Sequence, residues 1–305
     1  ASVCGPLFTR GLAVLSGPHG NYYGHNAAIR VRAFLDCCSL PVLDGQPPLG
    51  GHILSHDFVE AALLCRAGWE VRIAHDLAGS WEELPSTLAD YVARDRRWCQ
   101  GNLQHLRVAM ADGFKPMSRL HMWVGAGAYL AGPVWLLFTV LGAVLAATAS
   151  HPLVPAAIAL PLTLGTASLL LGPRILGVIS TLANAEQRAA HGGTVRVLLS
   201  GVFELLLGSL LAPLMMVHHT KIVISIITGG SVRWGAQNRR GGGRFAQLAR
   251  GELFSTFLGL ACAATLHLAA PGLLFWLAPI WAPLVLSIPL SLLVSSNLVG
   301  ELFAK

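Results

Sequence analysis

Hydrophobic and polar positions divide the chain near residue 120. Before it, apolar runs are short and broken by turn residues; after it, long apolar runs dominate. In the first part, residues 27–34 are apolar with Arg30 and Arg32 alternating, which predicts a half-buried strand. Asp44-Gly45-Gln46-Pro47-Pro48 is a turn cluster. Ser55 predicts the N-cap of a helix that runs through Cys65 and ends at Gly68, with Asp57 in its first turn. Residues 69–74 read as a strand ending at His75-Asp76. Helix, glycine, strand and helix in sequence is the wiring of an open α/β sheet, where ligands sit at the carboxyl ends of strands.

Residues 123–148 and 153–179 are each long enough to cross about 30 Å of hydrocarbon. Residues 254–270 and 273–293 form a last hairpin broken at Pro271-Gly272. Residues 195–230 are mostly apolar too, but contain Glu204, Pro213, His218, His219 and Lys221. The 1–115 region and the loops 174–196 and 231–250 are all basic, so the positive-inside rule puts them on the cytosolic side. Residues 195–230 must then enter and leave by the same face, as an interfacial or re-entrant segment broken at Pro213. The chain therefore reads as an α/β cytosolic region over 1–115 and an α-helical, four-span membrane domain over 116–305, with both ends cytosolic.

Composition agrees. Of 305 residues, 54% are hydrophobic and 12% charged, and the mean hydropathy is +0.60. Soluble domains carry about 25% charged residues, so a wholly soluble protein is excluded. Lys and Arg exceed Asp and Glu by 21 to 15, a net +6. That excess suits anionic lipid headgroups or a phosphorylated substrate. It is scattered over short loops, which argues against nucleic acid. Cys4, Cys37, Cys38, Cys65, Cys99 and Cys262 form no CxxC pair and read as reduced thiols, with neither a disulfide framework nor a zinc site.

Three constellations could carry chemistry. Asp57, in the first turn of its helix, is expected to be held ionised by the helix dipole and so to serve as a base for a hydroxyl; the plainer reading is a capping Asp. Arg94, Arg96, Arg97 and Trp98 crowd five positions of a predicted helix. A guanidinium can bind a diphosphate bidentately, and an indole offers a flat face to a sugar ring. The plainer reading is a solvated basic helix beside the first span. Gly24-His25-Asn26 is a loop where backbone and amide could meet a ligand, and by itself it is a common turn.

The order Gly24-His25-Asn26, Ser55-His56-Asp57, Arg94-Asp95-Arg96-Arg97-Trp98, then membrane spans, resembles the processive family 2 glycosyltransferases. These include cellulose, chitin and hyaluronan synthases. Their Thr-Glu-Asp base motif precedes a Gln-x-x-Arg-Trp motif by about the spacing of Asp57 and Trp98. Within that family, Leu54-Ser55-His56-Asp57-Phe58-Val59-Glu60 and Arg97-Trp98-Cys99-Gln100-Gly101-Asn102 look like the motifs of the bacterial synthases of osmoregulated periplasmic glucans. The resemblance implies a glucosyltransferase of the bacterial inner membrane. It would pass glucose from UDP-glucose to a growing β-glucan acceptor with inversion, with export through the membrane domain. Asp57 would be the base, Arg97 and Arg94 would meet the donor diphosphate, and Trp98, Gly24, His25, Asn26 and His56 would meet the acceptor. Trp234, Gln237 and Arg239 stand where cellulose synthases keep a gating loop; an anionic-lipid patch is the alternative for them. Acyl carrier protein and a homo-oligomer are further partners the resemblance implies.

Arg94 stands where the wider family has Gln, and Ser55-His56 replace Thr-Glu. The family's uridine-binding Asp and its Asp-x-Asp motif for Mg²⁺ should lie upstream of Gly24, and this chain contains neither. The expectation is an amino-terminally truncated piece, inactive by itself, whose own residues supply no metal ligands. Two other readings stay open: a transporter or channel with a cytosolic regulatory domain, and a non-processive transferase that glycosylates a lipid carrier. The first predicts that Asp57, Arg97 and Trp98 do not converge.

Overall fold

The computed structural model describes residues 3–77, 85, 87–149, 155–230 and 245–296. Among these the chain is almost wholly helical. A short helix α1 (Gly5–Ser16) and the helices α2 (Val31–Cys37) and α3 (His56–Arg66) precede the long basic helix α4 (Leu88–Val108). The apolar half holds α5 (Pro116–Thr148), α6 (Ala156–Ala183), the one-and-a-half-turn α7 (Ala185–Ala190), α8 (Thr194–Ile227) and α9 (Phe245–Ala269). It ends in three short helices, α10 (Pro271–Leu274), α11 (Ala278–Val285) and α12 (Ser287–Val294).

The α/β sheet expected of residues 1–115 is corrected by this. Residues 31–37 coil into α2, because Ala33 and Cys37, one turn apart, pack with Leu64 of α3. A run of eight residues with two arginines satisfied both periods. Residues 69–74 are extended but find little to pair with. Gly20 N–H donates to Val71 O at 2.7 Å and Val71 N–H to Pro18 O at 2.9 Å, closing one parallel bridge, His19 to Val71. A second isolated bridge joins Leu43 and Gly51. Without further ladder partners among the described residues, no sheet forms there.

Helix α3 starts and stops as its residues dictate: Asp57 lies in its first turn, Arg66 in its last, and Gly68 leaves it at φ +90°. Helix α4 is capped by Thr87, whose Oγ1 accepts from Asp90 N–H at 3.1 Å. One face of α4 buries Cys99 and Leu103 against Tyr129 of α5 and Ile222, Val223 and Ile226 of α8. Its N-terminal Leu88 packs with Leu214, Met216 and Val217 of α8. So α4 lies along the last half of α8 and the first half of α5.

Among the described residues four helices are long and apolar enough to cross a membrane, over 116–145, 157–183, 194–227 and 245–269. Helix α8 is a single helix of 34 residues that runs through Pro213, so the break expected at Pro213 in the interfacial or re-entrant segment does not form. Proline removes one N–H from the ladder. The flanking turns are held by the packing of Leu214, Met216 and Val217, and Glu204 accepts the Val3 N–H at 2.7 Å rather than marking a break. Residues 271–294 coil in three pieces, not as one span.

Candidate active site

Asp57 is half-buried at the head of α3, where the Gly24-His25-Asn26 loop folds onto it. A Cβ on Gly24 would stand 3.6 Å from Asp57 Oδ2, and Gly24 (φ +76°) and Asn26 (φ +52°) both take the left-handed backbone that turns the loop over the carboxylate. The Tyr23 ring meets Phe58 edge-on at 5.6 Å. Burial pushes the Asp57 carboxyl above its usual range; its own backbone N–H and the His56 and His25 imidazoles oppose the rise, and Glu60 adds to it. The sequence suggested the opposite direction. Burial outweighs the helix end here, and a base drawn toward neutral pH is better matched to taking a hydroxyl proton.

Beneath the loop lies a residue the sequence reading passed over. Glu60, only 6% exposed, accepts the Tyr22 hydroxyl on Oε2 and His56 Nδ1–H on Oε1 at 2.9 Å. Its i, i+4 spacing from His56 was the signal that could have found it. Through Glu60 the loop before Gly24 and the first turn of α3 are held together.

Helix α4 is locked to the same place. Leu54 N–H donates to Gln104 Oε1 at 3.0 Å, and the wholly buried His105 donates from Nε2 to Ser55 O at 2.7 Å while its ring stacks on Phe58 at 5.3 Å. Gln100 and Gln104 hold the 41–52 loop through Pro48 O, Gly50 O and His52 O. Ser55 occupies the N-cap position, yet its side chain makes no cap; it is taken up with α4 instead.

One turn before Gly101, Trp98 is 39% exposed, and Asn102 Nδ2 donates to its carbonyl at 2.9 Å. The Arg94 guanidinium lies over the Trp98 ring at 4.6 Å and the Tyr91 ring at 4.8 Å. Arg94 is buried in that stack, so it stiffens the indole rather than reaching outward. Arg97, next to Trp98, is half-buried. His25 and Asn26 line a groove of about 890 Å³ with Asn21, Arg30 and Trp69, whereas Asp57, Arg97 and Trp98 do not line it. Trp234, Gln237 and Arg239 fall outside the described residues.

On its other side α4 is tied to the membrane helices. Asp95 Oδ2 accepts from His219 Nε2 of α8 at 2.9 Å, and Arg96 Nη2 donates to Ser225 Oγ at 3.0 Å. The adjacent His218 donates to Glu252 Oε1 of α9 at 2.9 Å. Consecutive histidines in an apolar run were visible in the sequence; that they turn to two different helices was not. Among the described residues no three His, Cys, Asp or Glu side chains cluster as a metal site.

A model of the glycosyl transferase family group 2 matches residues 10–170, which covers the loop, α3, α4 and the first apolar helix. The chain belongs to this family. Among curated family relatives is a protein named glucans biosynthesis glucosyltransferase H from Bradyrhizobium diazoefficiens, 41% identical over 97% of this chain and 42% of the relative. Proteins of the same name from Shewanella sp. (strain ANA-3) and Vibrio cholerae are 40% and 41% identical over 100% of this chain, and over 44% and 45% of their own lengths. The chain thus spans less than half the length of these relatives. No solved structure matches it. Within a family 2 transferase, a loop-covered carboxylate joined to an Arg-Trp helix at the head of apolar spans is an arrangement suited to transfer at a membrane surface.

Proposed function

We propose that the complete protein is an inner-membrane glucosyltransferase that moves glucose from UDP-glucose onto a growing β-glucan with inversion, and passes the product across the bilayer. The observation that carries the reading is the closure of the Gly24–Asn26 loop onto Asp57, with α4 locked to the same helix head.

The step is a single displacement. Asp57 takes the proton of an acceptor hydroxyl. That oxygen bonds the anomeric carbon of glucose from the face opposite the diphosphate, the carbon–oxygen bond to UDP breaks with its electron pair, and the configuration inverts. Arg97 counters charge gathering on the departing diphosphate, where a guanidinium contributes most in the transition state. Trp98, steadied by Arg94, offers its ring to the acceptor sugar. A divalent cation is expected with the diphosphate; the described residues offer no cluster of three His, Cys, Asp or Glu to hold it. Cytosolic ends and both basic loops facing the cytosol complete the proposal, with α8 lying in the membrane interface as one unbroken helix and not crossing it.

The test is incorporation of label from UDP-[14C]glucose by washed membranes holding the complete gene product. Water-soluble polymeric glucan with release of UDP is expected. Label recovered only in a solvent-extractable lipid, or no label with the protein present, overturns the proposal.

A further inference from the structure

The base identified above has a difficulty that its surroundings resolve. Asp57 is half-buried and covered by the Gly24 loop. Once it has taken a proton it must release it before the next sugar adds, and a covered carboxylic acid has poor access to water. The neighbouring His56 does not share that problem: its side chain is 52% exposed. Nor is it a loose surface group. Its Nδ1–H is fixed on Glu60, and the other oxygen of that carboxylate is taken by the Tyr22 hydroxyl. Burial and Glu60 both hold the Tyr22 phenol in its protonated, donating form. With Nδ1 as the donor, Nε2 of the neutral ring is the acceptor. A buried carboxylate that fixes one ring nitrogen so that the other can handle a proton is the arrangement that orients a histidine base elsewhere. Glu60 is scarcely exposed and does nothing else in the transfer mechanism.

We propose that His56 is the proton outlet of the site, with Glu60 and Tyr22 as its positioning residues. The inference rests on the transferase reading. During transfer the acceptor O–H bond breaks and its proton goes to Asp57. The Asp57 acid then gives that proton to His56 Nε2, which becomes an imidazolium stabilised by Glu60 and sheds the proton to water. Asp57 and His56 return to carboxylate and neutral imidazole, and nothing is oxidised or reduced. Glu60 accepts the His56 Nδ1–H and Asp57 feels the His56 charge, while Tyr22 reaches His56 only through Glu60 and His25 acts on Asp57.

The experiment compares the wild-type complete protein with His56→Ala and Glu60→Gln in membranes at saturating donor and acceptor and low buffer concentration. His56→Ala is expected to lower kcat about ten- to a hundredfold, within the range of a lost proton-transfer group. It should leave the KM for UDP-glucose unchanged, and added imidazole should restore most of the rate. Glu60→Gln should lower kcat by a smaller factor, with imidazole giving it little. A His56→Ala enzyme of wild-type kcat, one changed only in KM, or a slow one deaf to imidazole overturns the outlet. A wild-type protein that makes no glucan overturns the transferase reading itself, and is recognised as such because the defect precedes any substitution.

Discussion

Gly101 of α4 and Ser55 at the head of α3 touch so closely that a Cβ on Gly101 would lie 2.2 Å from Ser55 Oγ and 2.6 Å from its backbone nitrogen. No rotation of a serine side chain relieves a clash with backbone, so a larger residue forces the helices apart. Trp98 sits one turn away on α4, and Asp57 two residues away on α3. Gly101→Ala is expected to cost about 1–3 kcal/mol of stability, as overpacking does, and to lower transfer further by misplacing Trp98 against Asp57. Thermal unfolding in detergent together with the transfer rate measures both.

The same junction sets a pH dependence. Burial drives the His105 imidazole down to about 4, partly offset by its hydrogen bond to Ser55 O. Its folded value lies below its unfolded one, so the unfolded chain binds a proton that the folded chain refuses. Stability from this group is full above the unfolded value of about 6.5 and drains away as pH falls toward 4. The loss is up to about 3 kcal/mol. His105→Gln should flatten that part of the melting-temperature profile between pH 6.5 and 4 relative to wild type.

Arg94 and Trp98 should separate in kinetics. Trp98→Ala removes the ring and is expected to raise the KM for acceptor more than that for donor. Arg94→Lys keeps the charge but loses the planar stack over Tyr91 and Trp98. It should show a weaker version of the same acceptor defect. Steady-state rates with donor and acceptor varied separately distinguish these; equal effects on both substrates would place Trp98 elsewhere in the mechanism.

Asp95 and His219 are one interaction, not two. Leaving one partner of a buried hydrogen bond unmet costs about 1–3 kcal/mol, so Asp95→Asn and His219→Gln are each expected to destabilise. The double substitution should cost far less than their sum. A double-mutant cycle by denaturation in detergent reads the coupling. Arg96→Ala, which loses the contact to Ser225, should cost less than either.

The sequence was most readable where a single local rule decides. The helix over His56–Arg66 follows from a turn-forming head, an acidic first turn and Gly68; apolar length alone predicts α5, α6 and α9, but not the continuity of α8 or the short pieces over 271–294. It was least readable where partners distant in sequence decide. Residues 31–37 coil because Leu64 receives Ala33 and Cys37 on one face, which no eight-residue window contains. Helix α8 continues past Pro213 because α4, α5, α6 and α11, distant in sequence, pack on it. The Asp57 carboxyl is raised because a loop some thirty residues earlier covers it, while a first-turn position alone argues the reverse. The motif residues were nameable from their order, but Glu60, Gly101 and His219, which hold them, look like ordinary helix residues until the helices meet.

The central claim is that the Asp57 carboxylate takes the acceptor proton, and the measurement that tests it most directly is the turnover of Asp57→Asn in the complete protein. Asn keeps the shape under the Gly24 loop and removes the base. Glucan synthesis from UDP-glucose should fall by about a hundredfold or more, with the protein still inserted, still melting as wild type and still binding UDP-glucose. Polymer made at the wild-type rate by that variant would contradict the account.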